Sequence, residues 1–328
     1  MFSSAKDSSE LATAQHIKAL IKSHYEDEGE RFTTLALQMA AHEAKLGHTT
    51  LADEIRKLID KSKTKVRRLK PFSQDLDGLV LEIHTQDKLA DLIISKHLKE
   101  RISRVLKEFK QRDKLQKHGL ENRRKVLLTG PPGTGKTMTA SIIAKELHLP
   151  LYVILMDKMV TKFMGETSAK LRMVFDTITE RRGVYLFDEF DAIGGERGKE
   201  NDVGEMRRVL NSFLQFIERD DSDSIIVAAT NNLKLLDQAL FRRFDDVLHY
   251  HLPTKDEIKQ LFENRLAGFR GNFSLEDAIV SAEGLSHAEI SQACLDAIKE
   301  SILNDKKKVT KPLLTKVIKD RVCAYENE

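Results

Sequence analysis

The sequence predicts an α/β fold, a parallel sheet flanked by helices, with a helical module before it and a helical lid after it. Three observations carry this prediction. Five short apolar runs, KVLLT (125–129), LYVILM (151–156), GVYLFDE (183–189), SIIVAATN (224–231) and DVLHYHL (246–252), are spaced by helix-length segments. Runs of that kind read as buried parallel strands joined by crossover helices. Residues 1–62 contain no proline and repeat their apolar positions at helical spacing, and residues 254–328 return to that texture.

The elements follow in order. Phe32, Leu35, Ala36 and Met39 fall on one helical face, and Gly47 interrupts it. Leu51, Ile55, Leu58 and Ile59 make a second stripe, with Thr50 as its expected N-cap, so a helical hairpin is predicted, with a third helix around Leu11–Ile21. KSKTKVRRLK (61–70) carries six basic residues and no acid, and Pro71 follows. Charge of one sign keeps such a segment extended and solvated, which makes it a linker. In the middle region Leu210, Phe213, Leu214 and Ile217 form a helical stripe. The segment from Thr254 opens with a capping threonine and acids in its first turn, which suits the helix dipole. Ile290, Ala293, Cys294 and Ala297 make another buried face, so Cys294 is expected to be a small core hydrophobe. The expected organisation is a helical docking module (1–62), a basic linker (63–79), a large α/β domain (80–252) and a small helical lid domain (253–328).

Composition excludes several classes. The 328 residues carry 54 Lys+Arg and 51 Asp+Glu, a formal charge of +3, so no global basic field favours nucleic acid. The longest stretch without a charged residue, Phe32–His42, has eleven residues, well short of the roughly 20 that a membrane-spanning helix needs. The start, MFSSAKDSSE, lacks an apolar signal region. Two cysteines make neither a disulfide scaffold nor a zinc site, and a reducing, cytoplasmic setting is the expectation.

The chemistry is concentrated at strand ends. GPPGTGKT, Gly130 to Thr137, matches G-x-x-x-x-G-K-[ST] between a predicted strand and a predicted helix. In such a loop Gly130, Gly133 and Gly135 let the backbone turn tightly and bring its N–H groups onto phosphate oxygens, with Pro131, Pro132 and Thr134 as the other residues of the cofactor-binding loop. Lys136 brings a compact charge to the β- and γ-phosphates, Thr137 offers a hydroxyl to Mg2+, and Met138 opens the helix whose dipole faces the anion. The site is thus expected to bind ATP with Mg2+. About fifty residues on, Val184–Phe187 ends in Asp188 and Glu189. A strand ending in acids is by itself an ordinary solvated turn. After a phosphate loop, Asp188 is placed to hold the metal with Thr137, and Glu189 to polarise a water. Ile225–Ala229 leads to Thr230, Asn231 and Asn232, where Asn231 is expected to orient that water or sense the γ-phosphate; an Asx turn is the plain alternative.

These motifs resemble those of the AAA+ ATPases, and within them the AAA clade proper, over about residues 80–325. GPPGTGKT is similar to the Walker A motif, YLFDEFDAI to Walker B, and Glu205 to Asp245 to the second region of homology, with Asn231 at sensor 1. LDQALFRRFDD is similar to the arginine-finger segment, which assigns the fingers to Arg242 and Arg243. The resemblance implies that these reach the nucleotide of a neighbouring subunit, where a guanidinium supplied in trans is worth about 10³–10⁵ in rate. GLSHAEI resembles the clade's GxSGADI, but His287 stands where a small residue is usual, and its role is left open between a nucleotide contact and a surface histidine. The segment LEIHTQDKLADLI lacks the glycine usual in that linker, so adenine contacts are not assigned.

Lys162, Phe163 and Met164, followed by Gly165, are similar to the clade's first pore loop, whose aromatic grips a threaded polypeptide; packing of Phe163 and Met164 in the core is the alternative. The function implied is ATP hydrolysis by a ring, a homo-hexamer promoted by ATP, that remodels, unfolds or threads protein. The N-terminal module would recruit a protein substrate or partner; no H-E-x-x-H helix or nucleophile elbow is visible, so if the ring feeds a protease, that enzyme is a separate chain. The alternative is a nucleic-acid-associated motor or loader using the basic stretches 61–70 and 99–125. Neither interleaves aromatics suited to base stacking.

Overall fold

The computed structural model describes residues 18–23, 29–65, 76, 78–159, 166–190, 200–232 and 241–326. The chain divides into two compact units, Met1–Pro71 and Phe72–Glu328.

In the first unit, helices α1 (Gly29–Lys45) and α2 (Thr49–Lys65) form the predicted hairpin. Gly47 makes the turn at φ +89°, a left-handed conformation that closes α1 without strain only for glycine. The hairpin's seam keeps Ala36 and Ile59 of the predicted stripes and departs from them elsewhere. Ala36 and Ala40 of α1 and Ala52 and Ile59 of α2 are buried, while Phe32 and Leu51 are exposed. Small side chains let two short helices approach closely, and the larger ones flank the seam. The second helix starts at Thr49, so Thr50 lies within its first turn and is not its N-cap, and it runs to Lys65, past the start of the expected linker. Residues 18–23 are helical. The rest of the helix expected around Leu11–Ile21, and most of the basic linker, lie outside the described residues.

The second unit is built on a six-stranded sheet of order β1-β3-β4-β5-β2-β6. The five predicted strands are present as β2 (Lys125–Thr129), β3 (Leu151–Ile154), β4 (Val184–Phe187), β5 (Ile225–Thr230) and β6 (Asp246–His249), all mutually parallel where they pair. The sheet is not wholly parallel. A strand not predicted, β1 (Val80–Ile83), joins β3 antiparallel at the edge. Only Val80 of its four residues is buried, so it has no buried apolar run to announce it.

Alternation along the strands explains the layers. Leu127, Tyr185, Phe187 and Ile226 face one side, where they pack on α5 (Glu166–Glu180) and α6 (Glu200–Arg219) through Leu171, Phe175, Phe213 and Ile217. Phe213 sits edge-on to both Phe175 and Phe187, a favoured aromatic geometry. Val126, Leu128, Val184 and Val227 face the other side and meet α3 (Lys96–Lys110) and α4 (Lys136–Leu147) through Ile102, Val105, Ile142 and Ile143. Burial on both faces is why these strands read as continuous apolar runs.

A third core joins α7 (Lys255–Leu266), α8 (Glu276–Ser281), α9 (His287–Leu303) and α10 (Lys311–Glu326). Ile290, Ala293, Cys294 and Ala297 are buried there as expected, and burial pushes the Cys294 thiol up to about 12, which keeps it inert. Ile93, from the segment before α3, packs into this helical core and ties it to the α/β part.

Candidate active site

The site forms where β2, β4 and β5 end. Parallel pairing sets Thr129 against Thr230 and Phe187 against Ala228, so the residues that follow each strand emerge side by side at the carboxyl edge. Open α/β sheets bind their ligands at that edge. After Thr129 the chain turns through Gly130 (φ +144°), Gly133 (φ +70°) and Gly135 (φ +99°), and α4 begins at Lys136. No side chain caps α4, so its first N–H groups face the loop.

Four predicted residues meet here. Lys136 is buried, and its ammonium donates to the carbonyls of Gly130 (2.7 Å) and Pro131 (2.8 Å) and to Asn231 Oδ1 (2.8 Å). Thr137 Oγ1 donates to Asp188 Oδ2 at 2.7 Å, and the other oxygen of Asp188 accepts from the Glu189 N–H. Thr134 Oγ1 donates to the Pro131 carbonyl, which stiffens the loop. Glu189 is exposed and holds a left-handed φ of +51°. A non-glycine residue in that region is uncommon and is found preferentially at functional turns.

A cavity of about 430 Å³ lies over this cluster. Pro132 to Met138, Asp188, Glu189 and Asn231 line one part of it. The other part is lined by Asp91, Leu92 and Ile93, and from the lid by Leu261, Arg265, His287, Ala288 and Ser291; of these only His287, in GLSHAEI, was singled out in the sequence as a possible nucleotide contact. These come from three separated stretches, and only His287 and Ala288 belong to a motif, GLSHAEI. The segment 81–93, in which adenine contacts were not assigned for want of a glycine, thus supplies a wall of the cavity through Asp91, Leu92 and Ile93. The Ala288 N–H donates to the Gly133 carbonyl at 2.9 Å, so the start of α9 rests on the phosphate loop. His287 is half-buried, with its ring hydrogen-bonded to the Ile93 backbone. Burial lowers its pKa, against the opposing pull of Glu257 and the Ile93 backbone.

The donor set fits a nucleoside triphosphate and a hard cation. The glycine cradle, the uncapped helix start and the buried ammonium converge on one anion site. Thr137 and Asp188 present a hydroxyl and a carboxylate side by side. Among the described residues no cluster of three His, Cys, Asp or Glu side chains could hold a metal. A sparse all-oxygen set of this kind matches Mg2+, which keeps waters and phosphate oxygens as its remaining ligands.

Arg242 and Arg243 do not join the site. They precede β6, whose Asp246 pairs with Val126 at the start of β2, and so lie toward the opposite end of the sheet from Gly130. Arg242 is exposed, and Arg243 Nε donates to Glu218 at 3.2 Å. Lys162, Phe163 and Met164 lie outside the described residues.

Residues 126–252 match the family described as ATPase family associated with various cellular activities (AAA). An uncharacterised AAA family ATPase, y4kL, of Sinorhizobium fredii is 32% identical over 94% of this chain and 96% of its own length. The chain belongs to the AAA ATPases. It binds and hydrolyses ATP, as members of that family do. It is also 33% identical to an ATP-dependent zinc metalloprotease FtsH of Parabacteroides distasonis, over 65% of this chain and 33% of the relative. A proteasome-activating nucleotidase of Sulfurisphaera tokodaii is 33% identical over 64% of this chain and 56% of the relative. The chain therefore spans about a third and about half of those two AAA relatives. The solved FIGL-1 AAA domain shares the fold, with a TM-score of 0.61, 24% identity, and coverage of 80% of this chain and 96% of that one.

Proposed function

We propose that this AAA ATPase works as a ring, a hexamer whose sites are completed between neighbours, and that it spends ATP on remodelling protein. The observation that carries the reading is the separation of the arginine pair from the phosphate loop: Arg242 and Arg243 sit toward the other end of their own sheet, so they serve a site only in a second copy. The similarity to a proteasome-activating nucleotidase and to an ATP-dependent protease supports protein as the substrate, and a separate protease as a partner.

In this reading Lys136 exchanges its loop carbonyls for β- and γ-phosphate oxygens. Gly133, Thr134, Gly135 and Met138 hold the phosphates through backbone N–H groups, and Gly130, Pro131 and Pro132 shape the loop. Thr137 and Asp188 would hold Mg2+, which would supply positive charge to the phosphates when bound. Glu189 accepts a proton from the attacking water, and Asn231, already linked to Lys136, fixes that water's position. The incoming guanidinium groups stabilise the transition state. The loop of Lys162, Phe163 and Met164 grips an extended polypeptide, and the helical hairpin of residues 29–65 recruits it.

A nucleic-acid motor is the weaker reading. In the basic stretch 99–125, Arg101 is paired with Asp246, Arg123 with Glu108 and Arg124 with Asp220, so those charges are spent within the fold. The two readings separate on stimulation of ATP turnover. A permanently unfolded polypeptide is expected to raise turnover several-fold, and Phe163→Ala to abolish the increase. Stimulation by single-stranded DNA instead, falling steeply with salt, would reverse the assignment.

A further inference from the structure

We propose that Tyr250 is a positioning residue for ATP hydrolysis, tying the hinge of the lid to both ends of the phosphate loop through a hydrogen-bonded line from its hydroxyl to Thr139 and Gly135. Tyr250 directly follows β6, and four residues on Thr254 caps α7, the first helix of the lid. His251 and Leu252, between them, are exposed. A few residues of this kind at the end of an element are where a hinge takes up its motion. Tyr250 is the fixed end of that hinge.

It is held on three sides, each time by the phosphate loop or by a neighbour bonded to it. Its N–H donates to the Thr129 carbonyl at 2.6 Å. Its carbonyl lies against Gly130, where no Cβ would fit. Its hydroxyl lies 2.6 Å from Thr139 Oγ1 of α4. Thr139 Oγ1 donates its one hydrogen to the Gly135 carbonyl at 3.0 Å, so toward Tyr250 it acts as acceptor. The line therefore runs one way, from Tyr250 to Thr139 to Gly135. Gly130 begins the loop and Gly135 immediately precedes Lys136. One residue at the hinge thus holds both ends of the loop.

The surrounding core does not call for a hydroxyl. Tyr250 is 2% exposed and Thr139 fully buried, beside Leu128, Ile143 and Leu248. Phenylalanine and valine would fill the same space, and replacing both partners of a hydrogen bond by apolar groups of the same shape is nearly neutral for stability. What the polar pair adds is a fixed distance and direction. Burial raises the Tyr250 pKa, which keeps the hydroxyl protonated and a donor.

Tyr250→Phe keeps the ring and removes the hydroxyl. It is expected to lower kcat for ATP about 3- to 10-fold, as for one lost hydrogen bond, with KM changed by less than about twofold, because Lys136 and the loop N–H groups still hold the phosphates. Thr139→Val breaks the same line and is expected to give the same loss, and the double variant no more than either alone. Thr139→Ser, which keeps a hydroxyl, recovers most of the turnover that the valine variant loses. Without nucleotide the double variant melts close to the parent. An unchanged kcat in Tyr250→Phe, a loss wholly in KM, losses that multiply in the double variant, or a double variant that melts far below the parent would overturn the assignment.

Discussion

Gly130 shows how much one missing side chain decides. A Cβ built there would lie 2.2 Å from the Tyr250 carbonyl oxygen, a backbone atom that cannot swing aside. Tyr250 is itself held by its N–H on Thr129 and by a buried hydroxyl contact with Thr139 of α4. The segment after β6 therefore clamps the phosphate loop from behind. Gly130→Ala must move the loop or the clamp, at about 1–3 kcal/mol for overpacking plus the strain of a positive φ. It is expected to melt lower and lose nucleotide binding in a fluorescent-nucleotide titration. Gly268→Ala, with no atom within 4 Å of the added carbon, should leave both unchanged. The glycines of the loop were legible as a motif. The particular intolerance of Gly130 was not, because its neighbour lies 120 residues along the chain.

At the level of elements, the starts of β2, β5 and β6 are joined by charge. The Asp245 carboxylate accepts from the backbone N–H groups of Arg124 and Lys125, both at 2.9 Å. Arg124 in turn reaches the buried carboxylate of Asp220 and that residue's carbonyl. The segment that carries Arg242 and Arg243 is thereby pinned beside β2. Breaking a buried ion pair from one side leaves the other charge uncompensated, which costs about 3–5 kcal/mol. Arg124→Ala is accordingly expected to shift the urea midpoint strongly, and Arg124→Ala with Asp220→Ala together to cost less than the two changes summed. A shift for Arg124→Ala no larger than a surface change would refute the role. The sequence shows Arg124 only as part of a basic run. Pairing with acids about 100 residues away is a tertiary fact, and it is what removes this run from the list of nucleic-acid surfaces.

For the whole molecule, the proposed ring makes a prediction no single chain can satisfy. Glu189→Gln damages a subunit's own site and leaves its arginines intact. A subunit with Arg242→Ala and Arg243→Ala has the reverse defect. Each alone is expected to lose turnover by about 10²-fold or more. Mixed together, the second kind of subunit can borrow arginines from the first, and part of the turnover returns. No recovery on mixing, under conditions where subunits exchange, would refute sites shared between copies.

By itself the sequence determined the strands of the parallel sheet, the phosphate loop and the carboxylates after β4. Each is a local signal, an apolar run long enough to be buried on both faces or a backbone that must turn tightly at glycine. It also placed Cys294 in a core through helical spacing. Only the tertiary structure decided the rest. The edge strand β1 exists because β3 offers it a partner, and its own residues are too few and too exposed to declare it. The hairpin's seam takes in Ala40 and Ala52 beside the predicted Ala36 and Ile59, because packing distance as well as hydrophobicity selects which face of a helix is buried. The second half of the cavity, with Asp91, Leu261 and Arg265, is assembled from stretches that come together only when the lid folds back on the phosphate loop.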